Sequence, residues 1–205
     1  MPGARDRARL LGHPEQVAPR LLGATVTSKL GSSSVSVRIT EVEAYAGVGE
    51  DPGSHAFRRM TARNATMFGP AGHAYVYFTY GMHWCLNVVV AGSGTAGAIL
   101  LRAGQVCEGQ DTAWTRRPSA RRSVDLARGP ARLSAVLGVT GEQDGIDMLD
   151  HDGPLTLSIL SSPPKWSDRT PRTGVAGEGS AIAWRFILDD PTVSPYRPAR
   201  ARARG

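Results

Sequence analysis

Along most of this chain apolar and polar positions follow the two-residue period of β-strands, and only short stretches follow the longer period of helices. PEQVAPRLL at 14–22 predicts a short helix closed by Gly23. Two strands follow, ATVTSKL at 24–30 and SVSVRITEVEAY at 34–45, turning at Gly31-Ser32-Ser33. AYVYFTY at 74–80 and WCLNVVV at 84–90 are strand-like, so Gly81-Met82-His83 between them predicts a hairpin turn. GAILLRA at 97–103 is a further strand, and PLTLSIL at 154–160 and AIAWRFIL at 181–188 are late ones. GPARLSAVLGV at 129–139 predicts a helix, with Pro130 near its first position and Gly138 as its stop. Residues 107–128 are polar and Arg-rich with moderate helical tendency. From 46 to 73 no period survives among Gly, Pro, Asp and Arg, which predicts a long loop with room for a helical turn. Loops of that length in compact domains are usually functional or disordered. With no repeat and no linker, the pattern predicts one compact α+β (mixed α/β) domain: a mostly antiparallel, curved sheet with flanking helices.

Three places break the apolar pattern. Strict alternation puts Val35, Val37, Ile39, Glu41, Glu43 and Tyr45 on one face of a strand. Most of that face is apolar, so it should point inward and end in two carboxylates and a tyrosine. A carboxylate so placed tends to have a raised pKa and can serve as acid or base. Pairing with Arg, or a place on a sheet edge, accounts for the same pattern. Second, Tyr75, Tyr77, Phe78, Tyr80 and Trp84 fall within ten residues of a chain that is 6% aromatic. Aromatics near a hairpin tip suit base stacking or insertion between base pairs; ordinary sheet aromatics are the alternative. Third, Asn87 interrupts WCLNVVV, and Arg102 follows AILL on the same alternating face as Leu100. A buried Asn needs hydrogen-bond partners, and a purine edge is one candidate.

Composition narrows the class. The chain has 205 residues, 41% hydrophobic and 20% charged, which suits a single globular domain. Its net charge of +6 sits in the ends: Arg5, Arg7 and Arg9 against Asp6 at one, and Arg197, Arg200, Arg202 and Arg204 at the other. Residues 1–12 therefore read as a basic arm, 13–195 as the domain, and 196–205 as a basic tail. Both ends are expected to be disordered, either adding non-specific phosphate attraction or simply solvated. Any basic face of the domain must come from charge asymmetry. No apolar run approaches the ~20 residues of a membrane span, so no membrane partner is expected. The N-terminal stretch lacks the apolar core of a secretory signal. Cys85 and Cys107 cannot by themselves build a disulfide framework or a Cys-based zinc site. A reducing, cytoplasmic setting is expected, nucleoid-associated in a bacterium. His13, His55, His73, His83 and His151 show no standard ligand spacing, so no metal is expected; chelator sensitivity would reopen that alternative.

ITEVEAY, a downstream His55, RNATMFGPAGHAYVYFTYGMHWCLNVV, AILLRA and GPARL, in this order, resemble the alkyladenine (3-methyladenine) DNA glycosylase family. The likeness is densest over residues 38–104, with weaker echoes at 18–23, 129–138 and 171–188. It implies an α/β domain whose protruding β-hairpin enters the minor groove of double-stranded DNA. It also implies monofunctional excision of damaged purines (3-methyladenine, 7-methylguanine, hypoxanthine, ethenoadenine) by a monomer without cofactor. Carried over by resemblance, Glu43 is the water-activating carboxylate and Arg102 holds the water. Tyr45 and Tyr77 sandwich the flipped base, His55 and Leu100 line its pocket, and Asn87 screens its edge. Tyr80, with Met82 beside it, fills the gap left in the duplex, and Thr173 in RTGV contributes its backbone. Lyase chemistry needs an amine, and Lys29 and Lys165, the only two lysines, lie outside these motifs. Pro2 could supply a secondary amine after Met removal, but nothing around it resembles a lyase start. Two alternatives need no Glu43: a non-catalytic damaged-DNA or RNA-binding module, and an RNA-binding β domain like the C-terminal part of formyltransferases. The latter leaves EVEAY, Asn87 and LLRA unexplained together.

Overall fold

Along the chain come α1 (Pro2–Leu10), α2 (Pro14–Val17), β1 (Thr25–Ser28), β2 (Val35–Tyr45), β3 (Ala74–Thr79), β4 (His83–Val89), β5 (Ala98–Glu108), α3 (Gln110–Arg116), α4 (Pro130–Leu137), β6 (Leu155–Ser158), β7 (Asp168–Thr170) and β8 (Arg185–Ile187). This is the order in the computed structural model, which describes residues 2–199. The strands form one antiparallel sheet in the order β3-β4-β5-β2-β1-β6. β2 is its centre. One edge of β2 pairs with β5, while the other is shared between β1, which takes 35–38, and β8, which takes 41–43 and carries β7 outward. The α+β architecture is therefore the one expected. α4 packs on β4 and β5 and buries Leu133, Val136 and Leu137. It begins at Pro130 and stops at Gly138, whose φ of 70° an L side chain rarely adopts. No helix among the described residues is long and apolar enough to cross a membrane.

β2 departs from the expected single stripe. The residues of β2 that join the main core are Val35, Val37, Ile39, Val42 and Ala44, so the alternation skips one place after Ile39. Ile39 stands opposite Gly104 and Glu41 opposite Ala103, which leaves Thr40 as an extra residue. A second irregularity follows: Glu41 pairs with Ala103 but Val42 with Leu101, leaving Arg102 extra on β5. A bulge shifts every later side chain to the other face. Glu41, Glu43 and Tyr45 thus lie on the face opposite Val35, Val37 and Ile39. Unbroken alternation would have driven two carboxylates into an apolar core, at a cost of several kcal/mol per ion. The bulge is itself satisfied: the Thr40 carbonyl accepts from Leu188 N at 3.0 Å, and its hydroxyl meets that of Thr192 at 2.8 Å.

Other differences have local causes. The helix expected over 14–22 splits at Ala18 into α2 and a 3-10 turn, because Pro19 has no N–H to continue the α-helical ladder. AIAWRFIL yields only the three-residue β8, since Gly177–Ala181 forms a 3-10 turn. β5 runs on from GAILLRA to Glu108, and the polar β7 was not foreseen. The 46–73 loop contains one 3-10 turn, Ala65–Phe68. The N-terminal stretch is not the disordered arm expected. It contains α1, anchored by Leu10 in the core, by Arg7 on Asp147 at 2.6 Å, and by Arg9 donating to the Ile159 carbonyl at 3.3 Å. At the other end Thr192 and Ser194 are buried, and Gly174 N donates to the Arg197 carbonyl at 3.0 Å. The last part of the expected basic tail, 200–205, lies outside the described residues.

Candidate active site

Sheet register assembles the site. Glu43 stands opposite Leu100, Leu100 opposite Asn87, and Asn87 opposite Tyr75, so four residues from four strands form one row. Directly opposed side chains share a face and lie about 5 Å apart. Tyr45 on β2 and Tyr77 on β3 flank this row. Over it opens a cavity of about 470 Å³, lined by Tyr45, His55, Tyr77, Asn87, Leu100, Arg102, Thr173 and Tyr80 among others. The structure thus gathers around one space eight of the ten residues to which the resemblance gives site roles, Glu43 and Met82 being the two outside the lining. Glu43 lies just behind that lining, fully buried, and the three groups that hold it are lining residues.

Glu43 accepts from the Tyr45 hydroxyl at 2.8 Å, from Arg102 Nη1 at 3.1 Å and from Thr173 N–H at 2.6 Å. The first two share Oε2. Oε1 takes the Thr173 bond alone, which leaves it acceptor capacity for a water. Thr173 Oγ1 is buried there without a hydrogen-bond partner. Glu41 is placed differently. It accepts from Arg102 Nε at 2.8 Å, Arg185 Nε at 2.7 Å, Ser194 N–H at 2.7 Å and the Ser194 hydroxyl at 2.9 Å. Burial pushes its carboxyl up, but Arg102 and Arg185 outweigh burial and hold it below the ordinary carboxylate value. The two neighbouring carboxylates are therefore divided: Glu41 is enclosed by Arg102, Arg185 and Ser194 and meets one lining residue, Arg102, while Glu43 is held by three lining residues, Tyr45, Arg102 and Thr173. Arg102 joins them. Burial works against its charge, yet Glu43 and Glu41 hold its pKa above the usual arginine value.

The aromatic walls remain protonated donors. Burial, then the charge of Glu43, raises the Tyr45 phenol well above its usual value; burial and the adjacent Cys85 raise Tyr77 likewise. The His55 ring packs edge-on against Tyr77, centroids 4.6 Å apart, and its Nδ1 lies 3.0 Å from the Tyr75 hydroxyl. Burial and the nearby Arg63 lower the His55 pKa, favouring a neutral ring. Asn87, 2% exposed, donates from Nδ2 to the Tyr75 carbonyl at 2.9 Å, and its Oδ1 enters none of the described hydrogen bonds. The arrangement is a cavity walled by Tyr45, Tyr75, Tyr77 and His55, with polar groups on its lining and a carboxylate behind it. Aromatic walls of this kind suit an aromatic heterocycle.

The hairpin tip is Tyr80-Gly81-Met82, one residue earlier than expected, because His83 pairs with Thr79 and already belongs to β4. Tyr80 has φ 51° and Gly81 φ 67°, and Met82 N–H closes the turn on the Thr79 carbonyl at 3.2 Å. A positive φ costs a non-glycine residue about 1 kcal/mol or more. Here that cost holds up a tyrosine that is 84% exposed beside a Met that is 67% exposed, which intramolecular packing does not explain.

Next to the site a second cavity of about 660 Å³ is lined by His83, Asp125 and three arginines, Arg117, Arg121 and Arg132. Asp125 is already engaged by Arg122 at 2.9 Å and Arg128 at 3.7 Å. Arg117 Nε is buried without a partner, and burial together with Arg132 lowers the Arg117 pKa. Sequence reasoning did not single out these arginines. It also missed the Arg185 and Ser194 shell of Glu41 and a buried Asp51–Arg172 pair. Arg172 opens the noted RTGV, where only Thr173 was given a role, and Asp51 lies in a loop without any period.

A family model described as methylpurine-DNA glycosylase (MPG) matches residues 9–192. The chain is 52% identical to a protein of Streptomyces avermitilis over 191 residues, covering 92% of this chain and 89% of that one. It is 49% identical to a protein of Leifsonia xyli over 198 residues (93% and 92% covered), and 47% identical to one of Nocardia farcinica over 194 residues (92% and 89%). All three relatives carry the provisional name 3-methyladenine DNA glycosylase.

Proposed function

The chain belongs to the methylpurine-DNA glycosylase family, and on that premise we propose that it flips a damaged purine out of duplex DNA and hydrolyses its N-glycosidic bond with a water activated by Glu43. The observation that carries this reading is the placement of a buried carboxylate, held by Tyr45, Arg102 and Thr173, behind an aromatic-lined cavity whose lining includes the exposed Tyr80. A base inside a duplex cannot reach such a pocket, so the nucleotide must be extruded, at a cost of a few kcal/mol. Tyr80 offsets part of that cost by filling the gap, with Met82 next to it. Damaged bases pair weakly, which lowers the cost again and gives a first selectivity. Tyr45 and Tyr77 stack on the base and favour electron-poor or cationic purines. Neutral His55 and Leu100 complete the lining, and Asn87 rejects guanine through its exocyclic amine.

Bond cleavage passes through an oxocarbenium-like sugar. Glu43 takes a proton from the attacking water and its negative charge stabilises the developing cation. Arg102, the Tyr45 hydroxyl and the Thr173 amide hold Glu43 and aim it. Neither Lys29 nor Lys165 lines the cavity, so the reaction ends at an abasic site without Schiff-base chain cleavage. The arginines of the second cavity suit the phosphate backbone, because their charge lies beside the hairpin rather than in the tails alone.

The test is incubation with duplexes carrying hypoxanthine, ethenoadenine or a methylated purine, followed by alkali cleavage. Release of the base from lesion duplex and not from undamaged duplex is expected. Binding of every lesion duplex without release from any would establish the non-catalytic binding module instead. Tyr80→Ala is expected to slow single-turnover release about tenfold, ~1.4 kcal/mol of the few kcal/mol that flipping costs. The loss should shrink when the lesion lies opposite a poorly pairing base. Equal losses in both contexts would remove Tyr80 from the flipping step.

A further inference from the structure

Arg172 is the largest fully buried side chain of the protein among the described residues, and the reaction as described does not use it. Its Nη1 and Nη2 bind Asp51 Oδ2 and Oδ1 at 2.5 and 2.6 Å, and Nη1 also donates to the Ala44 carbonyl at 2.9 Å. Its guanidinium carbon lies 4.6 Å from the centre of the Tyr45 ring and 5.3 Å from that of Trp184. Arg172 does not line the cavity and Tyr45 does, so the cation covers part of the tyrosine that the base cannot reach. The next residue is Thr173, whose N–H holds Glu43. Asp51 in turn accepts from Ala46 N–H at 3.1 Å and Gly53 N–H at 2.9 Å, and so folds the segment that leads to His55. Gly53 leaves room for the pair: a Cβ there would come within 2.8 Å of Arg172 Nη2.

One ion pair therefore touches the strand that carries Glu43 and Tyr45, the segment that carries Thr173, and the loop that carries His55. Fold stability alone is a weak account of it, since a buried ion pair is often no better than a well-packed apolar pair. Geometry is the stronger account, because a misplacement of about 1 Å can cost 10²-fold in rate. We propose that Arg172 is a positioning residue for base release, fixing the Tyr45 wall and, through Thr173, the Glu43 carboxylate as one unit. The inference rests on the roles given to Glu43 and Tyr45 above.

Single-turnover release and equilibrium binding are measured on a hypoxanthine duplex for wild type, Arg172→Lys, and Asp51→Asn/Arg172→Gln. The lysine keeps the charge and loses the planar fork. The double variant replaces the ion pair with a neutral hydrogen-bonded pair and leaves no uncompensated buried charge, so it is a second, independent route to a folded protein. Release is expected to fall roughly 10- to 100-fold in protein shown by its melting curve to be folded at the assay temperature. Binding should fall much less. Combining Arg172→Lys with Tyr45→Leu should cost less than the product of the two separate losses, because both act on the same wall. A wild-type rate in either folded variant overturns the proposal, as does strict multiplication of the two losses. If wild type itself releases no base from any lesion duplex, the fault lies in the proposed reaction and not in the role of Arg172.

Discussion

Glu43→Gln is expected to fold and to bind lesion duplex as wild type does, while single-turnover base release falls by roughly 10²- to 10⁴-fold, the usual contribution of a positioned general base. The change is nearly isosteric, and the amide oxygen can still accept the Thr173 N–H that lies 2.6 Å from Oε1 in the wild type. Arg102 keeps its bond to Glu41 at 2.8 Å, so its charge is not left uncompensated. Removed are the base for the attacking water and the negative charge that faces the oxocarbenium-like sugar. A quench-flow or gel assay of base release, run beside a binding titration on the same duplex, separates chemistry from recognition. Full release by the folded variant would sink the assignment of Glu43.

Glu41→Gln is expected to act chiefly on stability. Arg185, 2% exposed, has Glu41 as its carboxylate partner and otherwise donates to Thr170 Oγ1 and the Ser194 carbonyl. Removing one charge of a buried pair costs about 3–5 kcal/mol, because the other is left uncompensated. In a domain of this size that lowers the melting temperature by roughly 6–20 °C. The pH dependence follows from linkage. Folding lowers the Glu41 pKa from 4.5, so the unfolded chain binds the proton first as pH falls. The stability due to this carboxylate is therefore present above pH 4.5 and is lost as pH falls through the lower folded value. The variant should lose stability at neutral pH and show a flatter acid limb in melting experiments. Equal acid limbs in variant and wild type would show that Glu41 is not held as a charged anchor. Base release by the folded variant should suffer less than in Glu43→Gln, because Glu41 reaches the cavity only through Arg102.

Alternation marks EVE as unusual but does not divide its carboxylates; in the sequence only the family resemblance singled out Glu43. Both glutamates sat at the end of one expected apolar stripe, where either could have been a base or half of an ion pair. The division depends on residues far away in the chain: Arg185 and Ser194 close around Glu41, while Thr173 and the cavity approach Glu43. The bulge at Thr40 was overlooked for a different reason. Its trace in the sequence is small, two polar residues in succession at Thr40-Glu41 that move the apolar positions from Val35, Val37 and Ile39 to Val42 and Ala44, and reading one unbroken stripe through to Tyr45 passed over it. The second cavity escaped notice because its arginines come from an irregular segment and a helix that meet only in the fold.

By itself the sequence determined the class of the fold, the strands from β2 to β5, helix α4 and the residue types that can do the chemistry. Those depend on local period, proline and glycine stops, and the short reach of neighbouring side chains. Only the tertiary structure decided which residues face one another. The row Glu43–Leu100–Asn87–Tyr75 spans four strands, and its register follows from pairing between segments as many as 57 positions apart. The Asp51–Arg172 pair joins residues 121 positions apart. Such contacts are fixed by packing the whole core and satisfying every buried charge at once, conditions that no local pattern contains.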